Sequence, residues 1–283
     1  MSLALAVHPA RRLGLAPLRF AHKYRVHIAL IYTQAAAALL HFTRSGGSPR
    51  EAALLLAAFF FWQWGVYLFN KTCDLVEDAI SQPAEMLRPG EIATVRNVSL
   101  VMLAAPLLLA LWLRRDPLPA ILIFVGAILY SKPLPGLKLR VKNLFLVKEL
   151  YSAIPGWAGS MAAMVCVYAS RPVSLSTPGV EAFLLQLIVS TIAVEFVWDL
   201  RDVEGDRAAG VRSPAVVFGP AATRAIALAL ALVPAALSLA NGRPSVQPWI
   251  LPAGILLLPQ KAPSLAYHLL IDVPFIACFW FSF

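Results

Sequence analysis

Long, nearly unbroken runs of apolar residues recur along the chain at 24–44, 51–69, 97–113, 117–131, 146–170, 181–198, 221–240, 247–260 and 265–283. A helix rising about 1.5 Å per residue needs about 20 such residues to cross a hydrocarbon core of about 30 Å, so the runs predict about nine transmembrane helices. The fourth and eighth are short for a full crossing, which sets the range at eight to ten. Proline and glycine mark the gaps, at Gly46-Gly47, Pro117, Pro133 with Pro135, Pro178, Gly242 with Pro244, and Pro263, where helices end or turn. The pattern predicts an all-α integral membrane protein, with residues 1–283 forming a single polytopic domain whose first 23 residues are a basic flanking segment.

Composition narrows the class further. Only 14% of the 283 residues are charged, against 59% hydrophobic, and the mean hydropathy is +0.72. Soluble domains carry about a quarter charged residues, so water-soluble, disordered and disulfide-scaffold classes are excluded. Cys73, Cys166 and Cys278 lie far apart in sequence, show no metal-ligand or bridge spacing, and read as buried thiols. Residues 1–20 lack the uninterrupted apolar core of a cleavable signal peptide, and Arg11-Arg12 reads as a cytoplasmic flank rather than an export signal.

The net charge of +9 is explained by its distribution. With the N-terminus in the cytoplasm, the cytoplasmic segments are 1–25, 70–96, 131–148, 199–224 and 261–264, and they hold 18 of the 24 Lys and Arg. This is the positive-inside bias of a membrane protein, and it requires no nucleic-acid partner. The expected location is the membrane of a prokaryotic cell, with the active-site loops facing the cytoplasm.

The acids follow another rule. Ten of the 15 Asp and Glu fall in two short windows, 74–91 and 195–206. Asn70, Asp74 and Asp78 stand at i, i+4 and i+8, and Asp199, Asp202 and Asp206 at i, i+3 and i+7, so each set occupies one helix face. One such run at the end of an apolar helix reads as a solvated flank. Two matched runs, both at the cytoplasmic side, read as a site for hard cations. Carboxylates spaced in this way suit Mg²⁺, which binds through one or two carboxylates together with substrate phosphates; two facing clusters would hold two or three ions and a diphosphate.

These residues resemble a known family. Asn70-x-x-x-Asp74-x-x-x-Asp78 followed by Arg88-Pro89-Gly90, and Asp199-x-x-Asp202-x-x-x-Asp206 within Arg201-Asp202-Val203-Glu204-Gly205-Asp206-Arg207, look like the two aspartate-rich motifs of the UbiA superfamily of intramembrane prenyltransferases. The likeness extends to Tyr130-Ser131, Leu137-Lys138-Leu139 and the segment 213–219. It implies about nine transmembrane helices around a central cavity with a cytoplasmic cap. It also implies Mg²⁺-dependent ionisation of a geranyl, farnesyl or geranylgeranyl diphosphate, with capture of the carbocation by an aromatic or other lipophilic acceptor. Asp74, Asp78, Asp199 and Asp202 would be catalytic, joined by Asn70 and Asp206 as metal ligands. Lys138, which matches the family's loop lysine, would contact the diphosphate, with Lys142, Lys132, Arg201, Lys71 and Arg88 as further basic partners. Tyr130 would sit near the reacting carbon, and Tyr67, Ser131 and Trp198 would line the cavity. The bland alternatives are a solvated basic flank for the lysines, carboxylate pairing for Arg201 and Arg207, and an interfacial tyrosine.

Two departures from the family pattern stand out. Lys71 occupies a position where the first motif commonly has an acid, and it either turns away or contributes to diphosphate binding. The first helix, with His22, Lys23, Tyr24, Arg25 and His27, offers no arginine equivalent to an acceptor-carboxylate ligand, so a benzoate-type acid is not supported. Without an external acceptor the same machinery would give a membrane terpene cyclase, with aromatic residues such as Tyr67, Trp157 and Trp198 steadying the cation. A transporter using the acids for an ion is disfavoured, because both clusters lie at helix ends and no inverted repeat is evident. Loss of Asp74 or Asp202 is expected to stop turnover with little cost in stability, on the premise that both stand at wet helix ends.

Overall fold

A computed structural model describes residues 16–133, 136, 140–171, 173–176, 178–240, 246–259 and 262–280. Lys138, singled out for diphosphate binding, lies outside the described residues.

The apolar runs become helices. Six are long and apolar enough to cross a membrane: α2 (Val26–Thr43), α3 (Pro49–Cys73), α5 (Pro89–Trp112), α7 (Val147–Val167), α8 (Gly179–Ala209) and α9 (Pro220–Ala240). Three shorter apolar helices, α6 (Leu118–Ser131), α10 (Gln247–Leu257) and α11 (His268–Cys278), fall where the remaining runs were read. Two polar segments complete the elements that matter here: α1 (Ala16–Lys23) and α4 (Leu75–Ser81). At 14 residues, α6 spans only about 21 Å, as its short apolar run requires.

Local chemistry fixes several boundaries. At the start of α3, the Ser48 hydroxyl accepts from the Glu51 backbone N–H while the Glu51 carboxylate accepts from that of Ser48, with Pro49 as the first helical residue; this is a capping box. Arg25 takes a left-handed conformation (φ 59°) between α1 and α2, turning the N-terminal helix against the bundle. In α7, π-helical turns cover Ser152–Gly159 and Ala163–Val167. Pro155 lies within the first and cannot donate to the helical ladder, which opens the turn on the side of the central cavity.

The core gathers around Tyr32, Leu39, Phe59, Trp62, Phe69, Trp157, Met161, Phe183 and Phe275, all buried. Outward faces are apolar as well: Val101, Leu108, Leu111, Leu256 and Leu269 are all more than half exposed. A belt of this kind is at rest against lipid tails and unfavourable in water. The helices pack closely where glycine allows it. A Cβ on Gly65 of α3 would lie 2.8 Å from the Leu103 backbone nitrogen of α5.

Candidate active site

The acidic motifs sit on differently built elements. The first straddles a break: Asp74 (φ −97°, ψ 31°) ends α3 and begins α4. The α-helical hydrogen bonds nonetheless continue through the break, from Asp74 N to Asn70 O at 3.0 Å and from Asp78 N to Asp74 O at 2.8 Å. Asn70, Asp74 and Asp78 therefore remain on one face, as the i+4 spacing requires. The second motif lies inside the uninterrupted α8.

What brings the two together is Gly205. A Cβ there would press on the Ser81 hydroxyl oxygen and lie 2.8 Å from the Glu77 carbonyl oxygen, so α4 and α8 approach to backbone contact only because this residue has no side chain. Gly205→Ala is expected to force α4 away from α8. Turnover should fall at least about tenfold, and the Mg²⁺ concentration for half-maximal activity should rise. Mg²⁺-dependent turnover indistinguishable from the parent protein would show that the spacing is not critical.

Both motifs open on one cavity of about 540 Å³. Asn70, Asp74, Asp78, Asp202 and Asp206 line it, as do Lys71, Lys142, Arg201, Tyr67, Tyr130 and Trp198. The opposite wall is apolar and aromatic, including Tyr32, Trp62, Val66, Leu122, Ile123 and Trp157. Tyr32 stacks on Trp157 with ring centroids 3.3 Å apart, and Tyr130 stacks on Tyr151 at 4.8 Å.

The acids are held by a dense set of cations. Asp74 accepts from Asn70 Nδ2 at 2.6 Å and from Arg140 at 3.0 Å, and also from Lys142. Glu77 shares the same two cations, with Lys142 at 3.2 Å. Lys71 turns inward, with Nζ 3.2 Å from Asp78 Oδ2. Arg201 grips Asp202 with two bonds of 2.6 and 2.7 Å and lies 4.3 Å over the Trp198 ring. The premise of wet helix ends is therefore corrected: Asp74 and Asp78 are 7% and 8% exposed, because α4 folds over the mouth of the cavity and closes against α8.

Burial raises the Asp74 and Asp78 carboxyls above their ordinary value, opposed by Lys142 at Asp74 and by Lys71 at Asp78. At Glu77 burial pulls upward too, but the charges of Lys142 and Arg140 outweigh it and leave the carboxyl below its ordinary value. Further out, burial is outweighed at Glu85 by His22 and the Arg25 guanidinium, and its carboxyl drops to about 2. A carboxyl raised in spite of a lysine partner marks a place where added positive charge is favourable.

Four of the residues singled out from sequence lie elsewhere. Asp199 has no exposed surface and does not line the cavity; Lys148 takes it instead, with Nζ 2.5 Å from Asp199 Oδ1 and 3.7 Å from Asp206 Oδ2. Lys132 and Arg88 are exposed and Ser131 is buried, all three away from the lining. Residues not singled out also contribute: Arg25, Glu77, Lys148, Glu195 and Asp272 line the cavity. Glu195 carried a readable signal, since it stands four residues before Asp199 on the same face.

The donor set fits Mg²⁺. It is made of oxygens, and among the described residues Asn70 Oδ1 and Asp206 Oδ2 are buried without a hydrogen-bond partner, leaving lone pairs for a hard cation. Asn70, Asp74 and Asp78 on one side and Asp202 and Asp206 on the other would hold it.

An all-helical bundle with two aspartate-lined helices closing on one apolar cavity defines a class of membrane protein, and known proteins share it. The UbiA prenyltransferase family matches residues 29–262. The chain belongs to that family and is an integral membrane protein. It is similar to a digeranylgeranylglyceryl phosphate synthase of Sulfolobus acidocaldarius, with 30% identity over 165 residues; the match covers 58% of this chain and only 56% of that relative's length. Among solved structures, the fold matches the apo form of a UbiA homologue from Aeropyrum pernix K1, with TM-score 0.61, 21% identity and coverage of 89% and 95% of the two chains. It also matches a UbiA homologue from Archaeoglobus fulgidus bound to DMAPP and Mg²⁺, with TM-score 0.60, 16% identity and coverage of 93% and 98%.

Proposed function

We propose that the chain is a Mg²⁺-dependent prenyltransferase that ionises an allylic isoprenoid diphosphate and transfers the prenyl group to a lipophilic acceptor within the membrane. The observation that carries this reading is the convergence of Asn70, Asp74 and Asp78 with Asp202 and Asp206 at one end of a cavity whose remaining wall is aromatic and apolar. The Archaeoglobus homologue's DMAPP and Mg²⁺ and the Sulfolobus relative's name support it. Substrates of geranyl, farnesyl or geranylgeranyl length are expected.

Mg²⁺ held by these acids, two or three ions as proposed, would supply positive charge to the diphosphate leaving group. The chain's own residues do the rest. Asn70, Asp74, Asp78, Asp202 and Asp206 fix the position of the diphosphate, while Lys71 and Lys142 at the same end donate to phosphate oxygens as charge develops there. Lys138 is proposed as a further diphosphate contact. Arg201 keeps Asp202 in place through its two-pronged bond, and Lys148 keeps Asp206 beside Asp199. Tyr32, Tyr67, Tyr130, Trp157 and Trp198 wall off the prenyl chain, exclude water and present ring faces to a cation. The six long and three shorter helices are assigned to nine crossings, with the N-terminus and both motif segments facing the cytoplasm and α4 as part of the cap. The 18 basic residues counted on that side support the orientation.

Cyclisation of the same cation without an acceptor is the competing reading, favoured by the stacked rings of Tyr32 and Trp157 in the wall. Incubating the purified protein with Mg²⁺ and each of the three diphosphates separates the two. Transfer predicts little diphosphate release until a lipid extract supplies the acceptor, and cyclisation predicts release with a hydrocarbon product in its absence. No release under any condition rejects both.

A further inference from the structure

Three histidines that take no part in the aspartate site meet beside it. His22 lies in α1, His27 at the start of α2 and His268 at the start of α11, and one ring nitrogen from each falls within 4.8 Å of the others. The rings of His27 and His268 pack edge to face with centroids 4.3 Å apart, and the His22 ring lies 5.4 and 5.1 Å from theirs.

The hydrogen-bond partners dictate where the ring protons are. His27 Nδ1 faces the Ala21 carbonyl oxygen at 3.0 Å, and a carbonyl can only accept, so this nitrogen carries the hydrogen. His268 Nδ1 faces Asp272 Oδ2 at 2.6 Å and carries its hydrogen for the same reason. In the neutral rings both Nε2 atoms are then bare lone pairs, and they face each other at 3.1 Å. Two lone pairs at that separation repel unless a cation engages them. His22 obeys the same rule, since its Nε2 lies 2.7 Å from the Glu85 carboxylate and carries the hydrogen, which leaves Nδ1 with a bare lone pair.

We propose that His22, His27 and His268 form a Zn²⁺ site, with Ala21, Glu85 and Asp272 orienting the three rings from behind. Metal-binding imidazoles characteristically donate their second N–H to a carboxylate or a backbone carbonyl, and each of the three does so here. In a tetrahedron with Zn–N bonds of about 2.0–2.1 Å, neighbouring nitrogens stand about 3.3 Å apart. The His27–His268 pair already has nearly that spacing at 3.1 Å, and His22, whose side chain is one-third exposed, has room to turn its Nδ1 toward them. The fourth position is left for water. Glu85 and Asp272 provide negative charge around the ion, with Glu85 also paired to Arg25. Nitrogen donors select Zn²⁺ where the all-oxygen aspartate site selects Mg²⁺, so the two sites sort metals by ligand chemistry. The zinc site ties α1 and α2 to α11. It reaches the cavity wall through Asp272, whose Oδ1 accepts from Trp198 Nε1 at 3.1 Å, directly beneath Arg201.

The test uses the full chain in detergent, freed of any affinity tag, dialysed against metal-free buffer and titrated with Zn²⁺ against a chromophoric chelator. One tight equivalent is expected. It should persist in excess Mg²⁺ and in Asp74→Asn and Asp202→Asn proteins, and weaken at least about 10–100-fold in His27→Gln and His268→Gln. The more exposed His22→Gln gives the same reading should the buried variants fold poorly. Co²⁺ loading of the parent protein decides independently, because the intense visible absorption of tetrahedral coordination is expected. The absence of stoichiometric uptake would mean that a proton joins His27 to His268 and would overturn the proposal. So would uptake that survives the histidine substitutions or is lost with the aspartates, or a weak octahedral Co²⁺ spectrum.

Discussion

Asp74→Asn and Asp202→Asn each lower turnover by about 10²–10³-fold at saturating Mg²⁺, with the protein still folded. Asparagine keeps the shape and one oxygen of the carboxylate but removes the charge. In Asp74→Asn, Lys142 retains Glu77 at 3.2 Å and Arg140 retains the Cys73 carbonyl at 3.3 Å and Glu77, so neither cation is stranded. In Asp202→Asn, Arg201 loses its bidentate partner but stays over the Trp198 ring. Alanine would confuse the result, because Asp74 is buried among cations, and removing one partner of a buried ion pair is costly in itself. Diphosphate release measured over a Mg²⁺ series, alongside a thermal melt, checks the expectation. Activity retained in both variants would show that these acids are not metal ligands.

Lys148→Met is the substitution expected to cost the most stability, about 3–5 kcal/mol. Lys148 is half-buried on the cavity lining and is the ion-pair partner of Asp199, whose side chain has no exposure at all. Without the ammonium group a carboxylate is left in the bundle with no opposite charge. The double variant Lys148→Met/Asp199→Leu should recover most of the lost stability, since replacing a buried pair by apolar groups is often neutral. It should not recover turnover, because Asp206 has also lost the cation 3.7 Å away. Thermal melts in detergent distinguish the cases. A single variant as stable as the parent would mean that the pair contributes nothing to the fold.

Much of this was legible in the sequence, and the parts that were not have physical reasons. The positions of the apolar helices follow from the apolar runs, because a membrane demands continuous apolar length, and six of those described are long enough to cross. The two aspartate faces follow from helical periodicity, and Asn70, Asp74 and Asp78 keep their face even across the break at Asp74, because the i to i+4 hydrogen bonds persist there. The orientation of Lys71 was ambiguous in the motif and is settled by Asp78, seven residues and two turns further along the same face. Lys148 gave no signal of its own: it sits at the start of an apolar run, and its partner lies 51 residues away in sequence. Only packing of α7 against α8 makes it a neighbour of Asp199, and that packing pairs the first acid of the second motif with a lysine inside the bundle. The burial of Asp74 and Asp78 was equally hidden, because it depends on the approach of α4 to α8 that Gly205 permits.

The most direct measurement is an experimental structure of the protein with Mg²⁺ and a non-ionisable thiodiphosphate analogue of geranylgeranyl diphosphate. The account predicts the diphosphate at the mouth of the central cavity, with Mg²⁺ held between Asn70, Asp74 and Asp78 on one side and Asp202 and Asp206 on the other, and the prenyl chain running along Tyr32, Tyr67 and Trp157. A diphosphate bound away from either aspartate set, or a prenyl chain lying outside the cavity, would contradict it.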